Sequence, residues 1–109
     1  MDYLKKAEEF YDEQVKIRRH LHQNPELGYD QAETTSFIKE KLKEIGIEAE
    51  YFSDGGLTAL IGKGEGKTVL LRADIDALPI DEESGLAFKS KIEGRCHACG
   101  HDIHPSVLI

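Results

Sequence analysis

Metal-seeking side chains are concentrated in one short segment near the C-terminal end of the 109-residue chain. Residues 96–104 read CHACGHDIH and hold two cysteines, three histidines and an aspartate. Cys99 and His101 are two positions apart, and in an extended or looped backbone such side chains point the same way. A thiolate and an imidazole suit zinc, and imidazole with nearby carboxylates also admits manganese, nickel or cobalt. The spacing therefore predicts part of a catalytic metal site.

Three aspartates are candidates for supporting that site. Asp74 and Asp76 follow an apolar run, and Asp102 directly follows His101. Carboxylates in such positions orient a ligating imidazole or bridge to a second ion. Two carboxylates at the end of a buried strand also destabilise the fold unless they are paired or bound. Because zinc needs at least three protein ligands, we expect the remaining ligands to come from elsewhere.

The same cysteines allow other interpretations. Cys96 and Cys99 form a C-x-x-C, which is typical of thioredoxin-like redox pairs, although a long loop rather than a strand precedes it here. Both cysteines with His101 or His104 could instead form a structural zinc knuckle, and a surface loop with incidental histidines is the simplest alternative. Haem attachment is excluded because Gly100 follows the second cysteine where a histidine is required.

Other polar groups have more ordinary interpretations. His20 and His22 lie on a predicted helix beside two arginines, where we expect them to be solvated or to cap the C-terminal end of that helix. The glycine-rich stretch 62–66 predicts a hairpin turn, because it lacks the Gly-Lys-Ser/Thr ending of a phosphate-binding loop.

Two helices are predicted to precede the strands. Apolar residues at helical spacing predict the first over residues 1–23, and Asn24-Pro25 ends it because the residue before proline disfavours helical geometry. Asp30 is predicted to cap the second helix, with Glu33 completing a capping box, and the helix extends to about residue 44.

After the second helix, the spacing of apolar residues changes to the pattern of strands, which predicts an α/β fold. Short β-branched and aromatic runs at 48–52, 57–61 and 68–73 are separated by glycines. The continuous apolar run in the third suggests a strand buried on both faces of a sheet. Residues 81–95 resemble an irregular loop. A last helix begins near His104 and has no stop signal, so the domain itself is predicted to be cut there.

Charge and composition exclude several classes of partner. The net charge is −7, which argues against nucleic acid and anionic membrane surfaces, since both attract concentrated lysine and arginine. No run approaches the roughly 18 apolar residues of a membrane span. The N-terminal sequence lacks the apolar centre of an export signal, so we expect a cytoplasmic protein with reduced thiols.

Three segments taken together resemble a known family. RRHLHQNPELGY (18–29), LRADIDALPI (71–80) and CHACGHDIH (96–104) are similar, in this order, to the N-terminal part of the M20 metallopeptidases. The amidohydrolase subgroup is the better match, which includes hippurate hydrolases, N-acyl-amino-acid amidohydrolases and auxin-conjugate hydrolases. The resemblance covers nearly the whole chain, and the hexapeptide HACGHD is its most specific element.

This resemblance implies a fold and a metal site. The implied catalytic domain is α/β, with helices around a mixed central sheet, an inserted lid or dimerisation domain and two divalent ions (manganese, zinc, nickel or cobalt). The motif implies that Cys99 and His101 are metal ligands, that Asp76 supports the metal, and that Asp74 has an uncertain role. Position 96 is usually methionine in this subgroup, so Cys96 is not expected to be a ligand.

The resemblance also implies that much of the site lies outside these residues. The general-base glutamate of the family, and its other glutamate and histidine ligands, are expected downstream, and Glu82-Glu83 does not replace the base because it precedes the cysteine motif. Residues 1–109 are therefore expected to be a truncated N-terminal portion of the catalytic domain.

The implied reaction is hydrolysis of the amide bond of N-acyl amino acids or similar small conjugates by a metal-activated water. The fragment alone is expected to be inactive, and a homo-oligomeric full-length protein is left open. The alternatives are a non-catalytic interaction module, which would self-associate through exposed apolar surface, and a C-x-x-C redox protein.

Overall fold

The computed structural model describes residues 1–53 and 55–109. Helices come first in the chain, a small sheet follows them, and a short helix comes last. The elements are α1 (Tyr3–Glu9), α2 (Tyr11–Gln23), α3 (Ala32–Glu44), β1 (Ala49–Phe52), β2 (Gly56–Ala59) and α4 (Ile103–Leu108). This order confirms the predicted α/β class. Within the described ranges, no helix is both long enough and apolar enough to cross a membrane.

The predicted first helix is divided at Phe10. The N–H of Phe10 ends α1 by donating to the Ala7 carbonyl at 3.1 Å, and α2 begins at the next residue. Helix α1 buries no residue, whereas α2 buries Ile17 and Leu21. Tertiary packing therefore holds α2 in place but does not keep α1 in line with it.

The cap of α3 comes from a different residue than predicted. The carboxylate of Glu26 accepts from the backbone N–H of Thr34 at 2.5 Å and from that of Glu33 at 3.3 Å. A carboxylate at the positive end of the helix dipole satisfies N–H groups that have no partner within the helix. The capping box predicted from Asp30 was wrong, because a loop carboxylate earlier in the chain occupies that place.

Strands β1 and β2 form an antiparallel hairpin in which Ala49 pairs with Ala59 and Phe52 with Gly56. Gly55 has a φ of +86°, and a Cβ there would lie 2.8 Å from the Tyr29 carbonyl oxygen. Only glycine fits this close approach between the turn and the loop before α3. The first two predicted strands are thus confirmed, although β2 ends at Ala59.

The predicted third strand is not formed. Residues 68–73 have no strand pairing, and Val69, Leu70 and Leu71 are 81%, 88% and 71% exposed. Among the described residues the sheet has two strands rather than the expected mixed central sheet. The apolar run favours a buried strand only where another element covers it and accepts its backbone hydrogen bonds.

The core lies between α2 and α3. Ile17 and Leu21 of α2 pack against Ile38 of α3, and partly buried neighbours, including Leu57 and Ile75, extend this cluster. Helix α2 also contacts α4. The buried side of α2 therefore faces α3, and α2 also contacts α4, the helix at the end of the cysteine motif.

Two backbone bridges fix the loops that carry the predicted site. The N–H of Ala77 donates to the Glu26 carbonyl at 2.8 Å, and Leu78 and Cys96 exchange two hydrogen bonds of 2.9 and 3.0 Å. Each is an isolated bridge rather than part of a strand. Together they bring residues 74–78, which we call the aspartate segment, and the start of the cysteine motif side by side.

Candidate functional site

The two predicted metal ligands lie on either side of a tight turn, residues 99–101, which we call the ligand turn. Gly100 has a φ of +90°, in the left-handed region that side chains disfavour. Its carbonyl accepts from the N–H of Ile103 at 3.0 Å and that of His104 at 3.3 Å. The turn therefore leads directly into α4.

The imidazole of His101 is oriented by Asp76. Its Nδ1 lies 3.0 Å from both the carboxylate Oδ1 and the carbonyl oxygen of Asp76. Because both partners are acceptors, Nδ1 carries the proton and donates, which leaves the Nε2 lone pair free in the neutral ring. Metal-ligating histidines commonly make this kind of hydrogen bond through their other nitrogen.

The two thiols have different surroundings. Cys99 is exposed, whereas Cys96 is buried, and both are free. Burial raises the pKa of the Cys96 thiol, and the negative charges of Glu82 and Asp81 raise it further. Cys96 is therefore held as a neutral thiol in the interior, and Cys99 is the cysteine that can meet a ligand from solvent.

Asp102 is fully buried and binds α2 rather than the ligand turn. Its Oδ2 accepts from Arg18 Nε at 2.7 Å and from His22 Nδ1 at 2.6 Å. Its Oδ1 is buried without a hydrogen-bond partner among the described residues. Both donors come from one helix, so the residue after His101 is fixed to α2.

Glu82 lies on the other side of the His22 ring. Nε2 of His22 is 2.9 Å from Oε1 and 3.0 Å from Oε2 of Glu82. Burial raises the pKa of the Glu82 carboxyl, but hydrogen bonds from Ser84, His22 and the Ser90 N–H outweigh this and lower it to about 2. Glu82 is therefore ionised at neutral pH, although the sequence indicated no role for it.

The first histidine of the motif, His97, is 94% buried, with 6% of its surface exposed. Within the described part of the chain, neither ring nitrogen has a hydrogen-bond partner. Burial lowers the pKa of His97 and outweighs the negative charge of Asp102, which raises it. The ring is neutral and lines an open cavity of about 320 Å³ together with His22 and Cys96.

Not all predicted site residues are brought together. Asp76 contacts His101. Asp74 is exposed, and its described contact is with Arg72 at 2.6 Å rather than with the ligand turn. Residues 1–53 and 55–109 contain no group of three metal-type side chains close enough to hold an ion. The free Nε2 of His101 and the exposed sulfur of Cys99 fit a metal, but as a partial ligand set.

Sequence reasoning missed the importance of His22. It was expected to be solvated or to cap a helix end, which was wrong: it is 6% exposed and bonded to two carboxylates. Arg18 and His22 are four positions apart, hence on one helix face, next to the core residues Ile17 and Leu21. That adjacency to the apolar stripe was the available signal.

Comparison with known proteins shows which family the chain resembles. Residues 70–109, which include the aspartate segment and the ligand turn, match the model of peptidase family M20/M25/M40. Solved structures extend the match to most of the chain. A putative aminohydrolase from methicillin-resistant Staphylococcus aureus has a TM-score of 0.91 and 40% identity, over 97% of this chain and 29% of that one.

A second structure, the YXEP protein of Bacillus subtilis, is described as a dinuclear metal binding peptidase from the M20 family. It has a TM-score of 0.84 and 41% identity, over 91% of this chain and 28% of that one. Together with the matched residues 70–109, these likenesses confirm the resemblance to the M20 family stated from the sequence.

Curated relatives are similar along nearly the whole chain. IAA-amino acid hydrolase ILR1-like 2 of Arabidopsis thaliana is 50% identical over 105 residues, which are 95% of this chain and 24% of the relative. N-acetyl-L-cysteine deacetylase of Bacillus subtilis is 50% identical over 97 residues, 87% of this chain and 23% of the relative. The chain thus spans about a quarter of the length of these relatives.

Proposed function

We propose that residues 1–109 form the N-terminal portion of the catalytic domain of a metal-dependent amidohydrolase. The observation that carries the proposal is the hydrogen bond from His101 Nδ1 to Asp76, which leaves Nε2 available to a metal. Relatives named as hydrolases of IAA-amino acids and deacetylases of N-acetyl-L-cysteine support an N-acyl amino acid or a similar small conjugate as the substrate.

In this proposal Cys99, as thiolate, and His101, through Nε2, are metal ligands. Asp76 orients His101, and Asp102 holds the following residue against α2. Asp74 has the least support, since its described contact is the exposed pair with Arg72. The likeness to a dinuclear metal binding peptidase supports a site for two divalent ions, with manganese, zinc, nickel and cobalt as candidates.

Divalent ions bound at such a site polarise an acyl carbonyl and lower the pKa of a water molecule. The residues of this chain contribute the donor atoms and their orientation. The general-base glutamate and the remaining ligands belong, in this proposal, to parts of the complete protein outside residues 1–109, as does a lid or dimerisation domain. Residues 1–109 alone are then expected to be inactive.

We also propose a cytoplasmic location and a small-molecule substrate for the enzyme. Two free cysteines fit a reducing cytoplasm. A net charge of −7 fits a small-molecule substrate better than nucleic acid or an anionic membrane surface. The native mass of the complete protein, measured in the same preparation, shows whether it forms a homo-oligomer.

The test uses the protein isolated from its native source with an antibody to residues 1–109. Its intact mass is measured first, followed by hydrolysis of N-acetyl amino acids, hippurate and an indole-acetyl amino acid after chelation and manganese addition. We expect a mass several times 12.2 kDa and manganese-dependent hydrolysis. A native mass of 12.2 kDa without hydrolysis would overturn the proposal.

Variants of that native protein test the ligands. Cys99→Ser and His101→Gln should each lower the rate of hydrolysis at least about 100-fold, since loss of even a residue that supports a ligand costs 10–100-fold. Cys96→Ser and His104→Gln are matched controls within the same motif and should lose much less. Equal losses in all four variants would refute the assigned ligands.

A further inference from the structure

Three distant segments meet in one buried cluster of charged side chains, which we call the α2 anchor. It consists of Arg18 and His22 of α2, Glu82 of the long loop and Asp102 after the ligand turn. The side chains of His22, Glu82 and Asp102 are 7%, 9% and 1% exposed. Such buried charges are stable only when paired and hydrogen-bonded, as they are here.

In the α2 anchor, the His22 ring lies between two carboxylates. Asp102 and Glu82 are acceptors, and they lie on opposite ring nitrogens of His22 at 2.6 and 2.9 Å. A protonated ring donates to both, whereas a neutral ring can donate to only one.

The α2 anchor is joined to the ligand turn by a single peptide bond. Asp102 follows His101 directly, and α4 begins at the next residue. On the other side, the His101 ring is held by Asp76 at 3.0 Å. The turn is therefore held at two points, by Asp76 at the ring of His101 and by α2 at the adjoining backbone.

We propose that Arg18 and His22 are positioning residues for the metal ligands Cys99 and His101 and act through Asp102. This inference rests on the proposed function. Neither residue has a described contact with the two ligands; their effect is to fix the backbone that presents the thiolate and the imidazole. A side chain that is held from two sides keeps a donor geometry within the narrow tolerance that a metal requires.

The test compares His22→Gln with His20→Gln in the 109-residue chain. His20 lies on the same helix but is exposed, stacks on Phe37 at 3.8 Å and is outside the α2 anchor. Cobalt(II) is the probe, because thiolate coordination gives a charge-transfer absorption that reports Cys99 directly. We expect His22→Gln to weaken cobalt binding about 10–100-fold, and His20→Gln to leave it within about twofold.

A second readout needs no metal. Nitrogen NMR of the His101 ring reports whether its proton lies on Nδ1, as the bond to Asp76 requires. We expect a single Nδ1–H form in the unaltered chain and in His20→Gln, and a mixture of forms in His22→Gln. Far-ultraviolet circular dichroism restricts the comparison to variants that retain their helices.

Arginine variants keep the proposal testable if His22→Gln does not fold. Arg18→Lys retains a positive donor for Asp102, whereas Arg18→Gln removes the charge. We expect Arg18→Lys to keep most of the cobalt affinity and the Nδ1–H form of His101, and Arg18→Gln to lose both. Equal behaviour of these two variants would overturn the role of the charge at position 18.

The results separate this inference from the proposed function. If the unaltered chain gives no thiolate absorption with cobalt, or if Cys99→Ser gives the same absorption, the proposed ligand set fails. The His101 NMR comparison then decides the positioning role alone. If Cys99→Ser abolishes the absorption while folded His22→Gln and Arg18→Gln keep both the affinity and the Nδ1–H form, the positioning role fails.

Discussion

The Nδ1 of His22 lies 2.6 Å from the Oδ2 of Asp102, although the two residues are 80 positions apart. Arg18, one helical turn earlier, reaches the same oxygen at 2.7 Å. The described hydrogen-bond partners of the Asp102 carboxylate thus both belong to α2. This contact links the N-terminal helices to the segment that carries the candidate ligands.

Asp102→Ala should strongly destabilise the chain. The substitution leaves Arg18 and His22 without the acceptor that they share, and removal of one partner from a buried ion pair costs about 3–5 kcal/mol. Urea unfolding followed by circular dichroism measures the change in the free energy of unfolding. Asp74→Ala is the matched control, since its pair with Arg72 is exposed and such pairs contribute about 0–1 kcal/mol. Similar losses in the two variants would contradict the assigned importance of the buried pair.

Glu82 should make the stability of the chain depend on acid pH. Burial raises the pKa of its carboxyl, but the hydrogen bonds to Ser84, His22 and Ser90 lower it overall from 4.5 to about 2. A carboxyl with a depressed pKa in the folded state stabilises the fold fully above the unfolded value, and this stabilisation is lost as protons bind. We therefore expect stability to fall between about pH 4.5 and pH 2.

The measurement is the free energy of unfolding from urea titrations across this pH range. Glu82→Gln should remove part of the acid dependence, because the amide does not titrate. Glu83→Gln changes the neighbouring exposed residue and should retain the full dependence. If the free energy of unfolding of Glu82→Gln depended on pH as in the unaltered chain, other carboxyls would be the cause of the loss of stability at acid pH.

The two cysteines should differ in reactivity toward alkylating reagents. Cys96 is 4% exposed, and burial followed by the charges of Glu82 and Asp81 raises its pKa, whereas Cys99 is exposed. Because the thiolate is the reactive form, we expect iodoacetamide to modify Cys99 at least about tenfold faster at pH 7.5. Peptide mass spectrometry after timed quenching measures both rates, and the difference should disappear in urea. Equal rates in the folded chain would contradict the burial of Cys96 and would favour an accessible C-x-x-C pair.

Local patterns predicted the elements that depend on local interactions. The helices and the first two strands follow from spacing and turn chemistry. The cap of α3 by Glu26 and the bonds of His22 could not be predicted, since both depend on partners brought close by tertiary packing. Cys99, His101 and Asp76 were predicted as site residues from the motif and the family resemblance. Of these, His101 and Asp76 are in contact in the described structure.

The exposed apolar segment 68–73 leads to the last prediction. Val69, Leu70 and Leu71 are each more than two-thirds exposed, at 81%, 88% and 71%. Burial of apolar surface stabilises association by roughly 25 cal/mol per Å², and an unpaired extended backbone offers hydrogen-bonding groups to another chain. We expect the 109-residue chain to self-associate as its concentration rises from about 1 to 100 µM, as measured by sedimentation velocity, a range typical of weak association.

Two variants separate the causes of that association. Leu70→Asp places a charge in the apolar run, and Leu70→Pro removes a backbone donor while keeping an apolar side chain. Both should shift the chain toward monomer if strands pair between molecules, whereas Leu70→Asp alone should do so if the contact is only apolar. Leu4→Asp is the control, because Leu4 is 72% exposed on α1 outside this segment. A chain that stays monomeric at all concentrations would show that the exposed run does not bind a second copy.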